Sequence, residues 1–151
     1  MNEQVWWYAT RAAGLMTWST AVASVIVGLL LSLKAIRSRT GPWALDLHRF
    51  LSGLTLGFLI VHLVTLWADS YVEFGWRELF VPGESPYETQ AVAWGVVSAW
   101  ILIAVEITSI LRKHLGTKLW RLVHWTSVLA VAGGTVHGLE IGSDADSPVV
   151  W

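Results

Sequence analysis

Of the five histidines in this 151-residue chain, four recur at nearly matched intervals. His48 and His62 are fourteen residues apart, and His124 and His137 are thirteen apart. Imidazole offers a neutral nitrogen to a metal and is a common ligand of iron. At 1.5 Å of rise per residue, either interval on a helix spans ~20 Å. Two parallel helices carrying these intervals would gather four imidazoles into two pairs at two depths. With no cysteine in the chain, thiolate metal sites, iron–sulfur clusters and disulfides are excluded. Opposed side chains on facing helices are how bundles build cofactor sites, so the chemistry suggested is bis-histidine ligation of two haems. The fifth histidine, His114, falls in the polar turn KHLG and reads as an ordinary interfacial residue.

The elements that hold these residues are long and apolar. The chain is 54% hydrophobic and 14% charged, and residues 12–33, 50–68, 89–105 and 122–139 contain no charge. Each run is long enough, or nearly so, to cross ~30 Å of hydrocarbon as a helix. Four such helices exceed what a core of this size could bury. The fold class expected is all-α, a four-helix transmembrane bundle forming one domain over residues 1–151. The helices are expected at about 12–36, 45–68, 90–111 and 117–139, with an outer loop at 69–89. MNEQVWWYATR would precede the first span, its Trp6, Trp7 and Tyr8 suited to the headgroup layer. Within the loop, YVEFGWRELFVPG mixes aromatics and acids and suits an amphipathic cap on the membrane surface.

Charge sets the direction of the spans. Eight of the ten basic residues (Lys34, Arg37, Arg39, Arg49, Arg112, Lys113, Lys118 and Arg121) flank two short connections. Nine of the eleven acids, among them Glu3, Asp69, Glu73, Glu140, Asp144 and Asp146, lie on the opposite side. The positive-inside bias puts the basic connections in the cytoplasm and both termini outside. No basic leader with a small-residue cleavage site opens the chain, so the first span is expected to be retained. The histidine-bearing second and fourth spans then both run outward, with His48 and His124 near the cytoplasmic face and His62 and His137 in the outer half. Nothing in the chain forms a phosphate loop or a nucleic-acid patch.

Helical phase supports one interval better than the other. At ~100° per residue, His62 returns to within ~40° of the face of His48, while His137 lands ~140° from His124. The fourth span is therefore expected to be distorted, with Gly133-Gly134 as the place for a bend, or else the two haems approach it from different sides.

H-x13-H on one span and H-x12-H two spans later resembles the ferric-reductase-like transmembrane domain shared by ferric reductases and NADPH oxidases, in a small bacterial stand-alone form. The likeness extends over nearly the whole chain. Arg11-x-x-Gly14, the run Arg112…Leu115-Gly116…Trp120-Arg121…His124, and His137-Gly138…Gly142-Ser143-Asp144 are also similar. The resemblance implies two haem b groups, an inner one between His48 and His124 and an outer one between His62 and His137. It implies electron flow from the cytoplasmic side to an outer acceptor, with ferric iron the leading choice, in a prokaryotic plasma membrane. The flavin and nicotinamide domain of larger members is missing, so a separate flavoprotein reductase or membrane quinol is expected as donor.

Arg11, Arg49 and, less so, Arg121 lie at span ends where a guanidinium could pair with haem propionates, or simply with lipid headgroups. Ser52, Thr55 and Leu59 share the face of His48 and His62; the hydroxyls are expected to bond mainly to their own backbone. Phe58 beside them needs no role beyond packing. Gly53-x-x-x-Gly57 points the other way and reads as a close-packing surface for another helix. Glu106 is an intramembrane carboxyl, suited to a proton relay from a quinol or to snorkelling towards Arg112 or Lys113. Asp69, Glu140 and Asp144 could form an acidic mouth for ferric ions, or be a plain solvated surface. Two other readings stay open: a quinol-oxidising cytochrome b subunit of a larger complex, and a haem-free bundle that binds or transports a divalent metal.

Overall fold

The computed structural model describes residues 3–35, 41–69 and 74–142, and every regular element among them is helical. Arg37, Arg39, Glu73, Asp144 and Asp146, part of the charge pattern above, lie outside the described residues. Helix α1 spans Glu3–Ser32, α2 Gly41–Ala68, α3 Trp76–Phe80 and α4 Thr89–Ile110. A single 3₁₀ turn, Arg112–His114, leads to α5 (Thr117–Trp125) and α6 (Ser127–Ile141). Three stretches are long and apolar enough to cross a membrane: Val5–Ser32, Pro42–Ala68 and Thr89–Ile110.

Helix α1 starts well before the apolar run from which its expected start near Ala12 was read. The Arg11 guanidinium lies 4.7 Å from the centre of the Trp7 ring, an i,i+4 contact that a helix supplies and an extended outer segment would not. Helix α2 also starts earlier than expected, with Pro42 in its first turn, where a missing N–H leaves no bond unmade. The expected amphipathic cap is anchored more firmly than a surface helix. Phe74 and Leu79 are buried against Val92 and Val96 of α4, beside Leu63, Leu66 and Ile141. The Trp100 indole donates to the Phe80 carbonyl at 2.9 Å, while Trp76 stays exposed.

Helices α1 and α2 form an antiparallel hairpin whose seam is built from small residues. Ala13, Thr17, Thr20, Ala21 and Ser24 are buried there, opposite Thr55. The Thr55 hydroxyl donates to Thr20 Oγ1 at 3.0 Å, and Ser24 and Ser52 meet at 3.2 Å. In hydrocarbon such bonds contribute about 0.6–2 kcal/mol each, and small residues let the backbones approach. Thr55 also bonds back to the Leu51 carbonyl, as expected of a helical threonine. Helix α4 packs against α5 and α6 as a second antiparallel unit, and α6 meets α1 through the Trp18 indole, which donates to Thr135. Leu15, Ile26, Phe50, Ile60, Leu122 and Leu129 face outward. So extensive an apolar exterior would be an aggregation hazard in water and is the expected surface in lipid.

Two expectations are corrected here. Gly53 and Gly57 are exposed, and a Cβ added to either would meet nothing within 4 Å, so no helix among the described residues packs on them. The distortion of the last span is not at Gly133-Gly134, which lies inside continuous α6. It is at Thr126, between α5 and α6. There the Thr126 hydroxyl donates to the Val123 carbonyl at 2.6 Å, and the Thr126 N–H also turns to Val123 at 3.0 Å. A local tightening of this kind winds the chain further per residue. Gly133 serves a close approach instead, since a Cβ there would fall 2.5 Å from Ser98 Oγ.

Candidate functional site

The four histidines meet as two pairs. The rings of His48 and His124 have centroids 5.8 Å apart, and those of His62 and His137 are 6.5 Å apart. Both pairs join α2 to the α5–α6 segment, His124 on α5 and His137 on α6. The break at Thr126 separates them.

The ring orientations have a common cause. His62 Nδ1–H donates to the Thr10 carbonyl at 3.0 Å, His48 Nδ1–H to the Ser24 carbonyl at 2.9 Å, and His137 Nδ1–H to the Ala91 carbonyl at 2.8 Å. A carbonyl only accepts, so each Nδ1 carries the proton and each Nε2 keeps its lone pair. Four residues after each carbonyl comes a glycine: Gly14, Gly28 and Gly95. A Cβ on Gly14 would stand 3.1 Å from the His62 ring, one on Gly28 3.1 Å from His48, and one on Gly95 2.7 Å from His137 Nδ1. Each missing side chain is the space in which an imidazole lies flat enough to reach the carbonyl one turn earlier. The fourth position is occupied differently. Ser109 lies fourteen residues after Gly95, as Gly28 lies fourteen after Gly14, and its hydroxyl meets His124 Nδ1 at 3.4 Å. The sequence carries no visible repeat, yet α1 and α4 each supply two ring seats to the neighbouring histidine helix.

Metal-binding arithmetic selects among ligand classes. Among the described residues, no three His, Cys, Asp or Glu side chains come together to hold a metal ion. A bare divalent ion would find only two protein ligands at either depth, where a structural zinc site needs four. A porphyrin brings four nitrogens of its own and asks the protein for two axial ligands. Two imidazoles bound to one metal through Nε2 at about 2.0–2.1 Å stand with ring centres roughly 6 Å apart, as both pairs do. Two buried polar atoms beside the rings also lack a partner among the described residues: Trp120 Nε1 and Thr10 Oγ1. Trp120 is stacked on His124 at 5.0 Å, and Thr10 is the residue whose carbonyl receives His62. Both are donors suited to the carboxylates that a haem carries. The residues present therefore fit the group.

The arginines are less directly placed. Arg11 lies over Trp7 near Thr10, while Arg49 is exposed and pairs with Asp46 at 3.6 Å, so propionate contact at Arg49 competes with an existing partner. Arg121 and His114 are exposed. Arg112 lies 4.3 Å above Trp120 and caps a stack of guanidinium, indole and imidazole that ends at His124. Glu106 lines a cleft together with Ser24, His48, Ser52, His124 and Ser127. It forms no ion pair with Arg112 or Lys113 among the described residues, so the snorkelling expectation is not realised. Asp69 and Glu78 border a separate cleft with Trp67 and Phe74; Glu140 is exposed beyond His137, and Asp144 lies outside the described residues.

Compared with protein-family models, with curated proteins and with solved structures, the chain finds no match, and the functional reading rests on these two imidazole pairs.

Proposed function

We propose that the chain is a four-helix, di-haem b electron conduit of a prokaryotic plasma membrane, with α5 and α6 together making the fourth crossing and both termini outside. His48 and His124 would hold an inner haem, His62 and His137 an outer one. The observation that carries this reading is the repeated seat: three imidazoles donate Nδ1–H to a carbonyl four residues before a glycine, which leaves Nε2 as the nitrogen available to a metal. Bound there, haem supplies one-electron chemistry by cycling its iron between ferric and ferrous states. The protein's part is to hold the four nitrogens unprotonated at two depths and to exclude water with an apolar exterior. Electrons would enter from a cytoplasmic flavoprotein reductase and leave to an outer acceptor, with ferric iron the leading candidate. The likeness to ferric reductases and NADPH oxidases in histidine spacing supports the direction of flow.

The test is transport in sealed vesicles. Purified protein reconstituted with a strong reductant inside and a ferric chelate outside should reduce the chelate only when haem is loaded. Equal rates with and without loaded protein would refute the conduit. The ring planes add a spectroscopic expectation. The paired rings are inclined at 72° and 82°, close to perpendicular. Perpendicular axial imidazoles leave two iron d orbitals nearly degenerate, so the ferric protein should give highly anisotropic low-spin EPR signals. A rhombic three-line spectrum would show that the rings lie parallel.

Glu106 favours a second source of electrons. A carboxyl lining the same cleft as His48 and His124 is positioned to take a proton from a quinol as it is oxidised. Under that reading, Glu106→Gln should slow haem reduction by quinol by about 100- to 10,000-fold, the usual range for loss of a general base. Reduction by dithionite should be unchanged. Equal quinol rates in both proteins would leave the flavoprotein as donor.

A further inference from the structure

Four ring seats are built to one plan, and one of them departs from it. Gly14, Gly28 and Gly95 each admit an imidazole to the carbonyl four residues earlier, at 2.8 to 3.0 Å. At the fourth seat the corresponding carbonyl is that of Val105, and Ser109 holds the glycine position. With Nε2 kept for iron, His124 Nδ1–H would instead donate to the Ser109 hydroxyl, at 3.4 Å a longer contact than the other three. Building on the di-haem reading, we propose that Ser109 is a positioning residue that makes the inner haem the higher-potential of the two.

The reason is ligand basicity. An imidazole whose Nδ1–H donates strongly to a carbonyl gains electron density at Nε2, and a richer ligand stabilises ferric iron over ferrous. The outer pair, His62 and His137, has two such bonds. The inner pair has one, through His48, because Ser109 keeps His124 from its carbonyl. A second observation acts in the same direction. The cation of Arg112 lies over Trp120, which is stacked on His124, so positive charge is held beside the inner site and none is stacked on His62 or His137 among the described residues. Positive charge favours the ferrous form, which carries one positive charge fewer at the metal. The Glu106 carboxyl, which lines the same cleft as His48 and His124, opposes the Arg112 charge when ionised, so the hydrogen bond at Ser109 decides the order. In half-reduced protein the electron resides on the inner haem, and outward transfer awaits a second electron or an acceptor that draws on the outer one.

Redox titration followed by optical spectra tests this, with the inner wave assigned from the His62→Ala protein, which keeps only the inner pair. Unaltered protein should show two waves, the inner at higher potential. Ser109→Gly opens the seat to the Val105 carbonyl and should move the inner wave downward. At the potential where the unaltered inner haem is half reduced, its oxidised-to-reduced ratio should rise by about threefold or more, with the outer wave unmoved. Ser109→Ala removes the hydroxyl but keeps the blocking Cβ, so it should move the inner wave upward. Opposite signs at one position are not what general loosening of the bundle would produce. If Ser109→Gly fails to retain haem, the sign of the Ser109→Ala shift decides. An inner wave below the outer, or no movement in Ser109→Ala, would overturn the proposal while two bound haems left the di-haem reading standing. Unaltered protein that binds no haem would overturn both.

Discussion

Alanine at His62 or His137 is expected to halve the haem content and stop electron delivery to an external acceptor, while the remaining haem still fills from the cytoplasmic side. His48→Ala or His124→Ala should do the converse: the outer haem stays reducible by a small external reductant, but electrons offered from inside no longer cross. The expectation follows from geometry. The paired ring centroids lie 5.8 and 6.5 Å apart, each pair uses both of its histidines, and among the described residues no third His, Cys, Asp or Glu joins either pair in a metal-holding group. A haem that the two histidines of a pair would hold together would then be held by one of them. Outward transfer in sealed vesicles that survived His62→Ala, with both haems still bound, would show that the pairs are wrongly drawn.

Gly95→Ala is the second large effect expected, from a change of one methyl group. The added Cβ would lie 2.7 Å from His137 Nδ1 and 2.8 Å from its Cε1, closer than such contacts occur. The ring must move, and its bond to the Ala91 carbonyl at 2.8 Å is lost. Disturbing a second-shell hydrogen bond typically costs about 10- to 100-fold in metal affinity, and outer-haem retention should fall by that order. Gly14→Ala and Gly28→Ala should act in the same direction on His62 and His48, less severely because their clashes begin at 3.1 Å. Gly53→Ala is the control. It lies on the same kind of helix, faces open space, and should be neutral or stabilise by about 0.5–1 kcal/mol through helix propensity. Haem content measured after extensive washing separates these outcomes; equal retention in Gly95→Ala and Gly53→Ala would deprive the glycine seats of their role.

The histidine pairs were legible in the sequence because two strong signals coincide. Charge-free runs placed the spans, and the fourteen- and thirteen-residue intervals set two depths. What was not legible is what turns the rings. A glycine in an apolar helix ordinarily reads as a packing position, so Gly28 and Gly95 drew no attention, and Gly53-x-x-x-Gly57 drew too much. The available signal was the fourteen-residue interval from Gly14 to Gly28, the same as that from His48 to His62 on the helix beside it. An antiparallel hairpin with one depth interval on both strands brings both glycines level with both histidines. The bend was misplaced for a related reason. Glycine pairs weaken a helix, but Gly133 is held by close contact with Ser98 and Trp94, whereas Thr126 has a hydroxyl that competes for its own backbone. Helix α1 began early because Arg11 ends an apolar run without ending a helix.

Haem quantitation on the purified protein tests the central claim most directly. A pyridine haemochrome assay set against protein mass should give two b-type haems per chain, released by acid and acetone because no cysteine is present to attach them. One haem per chain, or no Soret band after incubation with excess haem and washing, would contradict it.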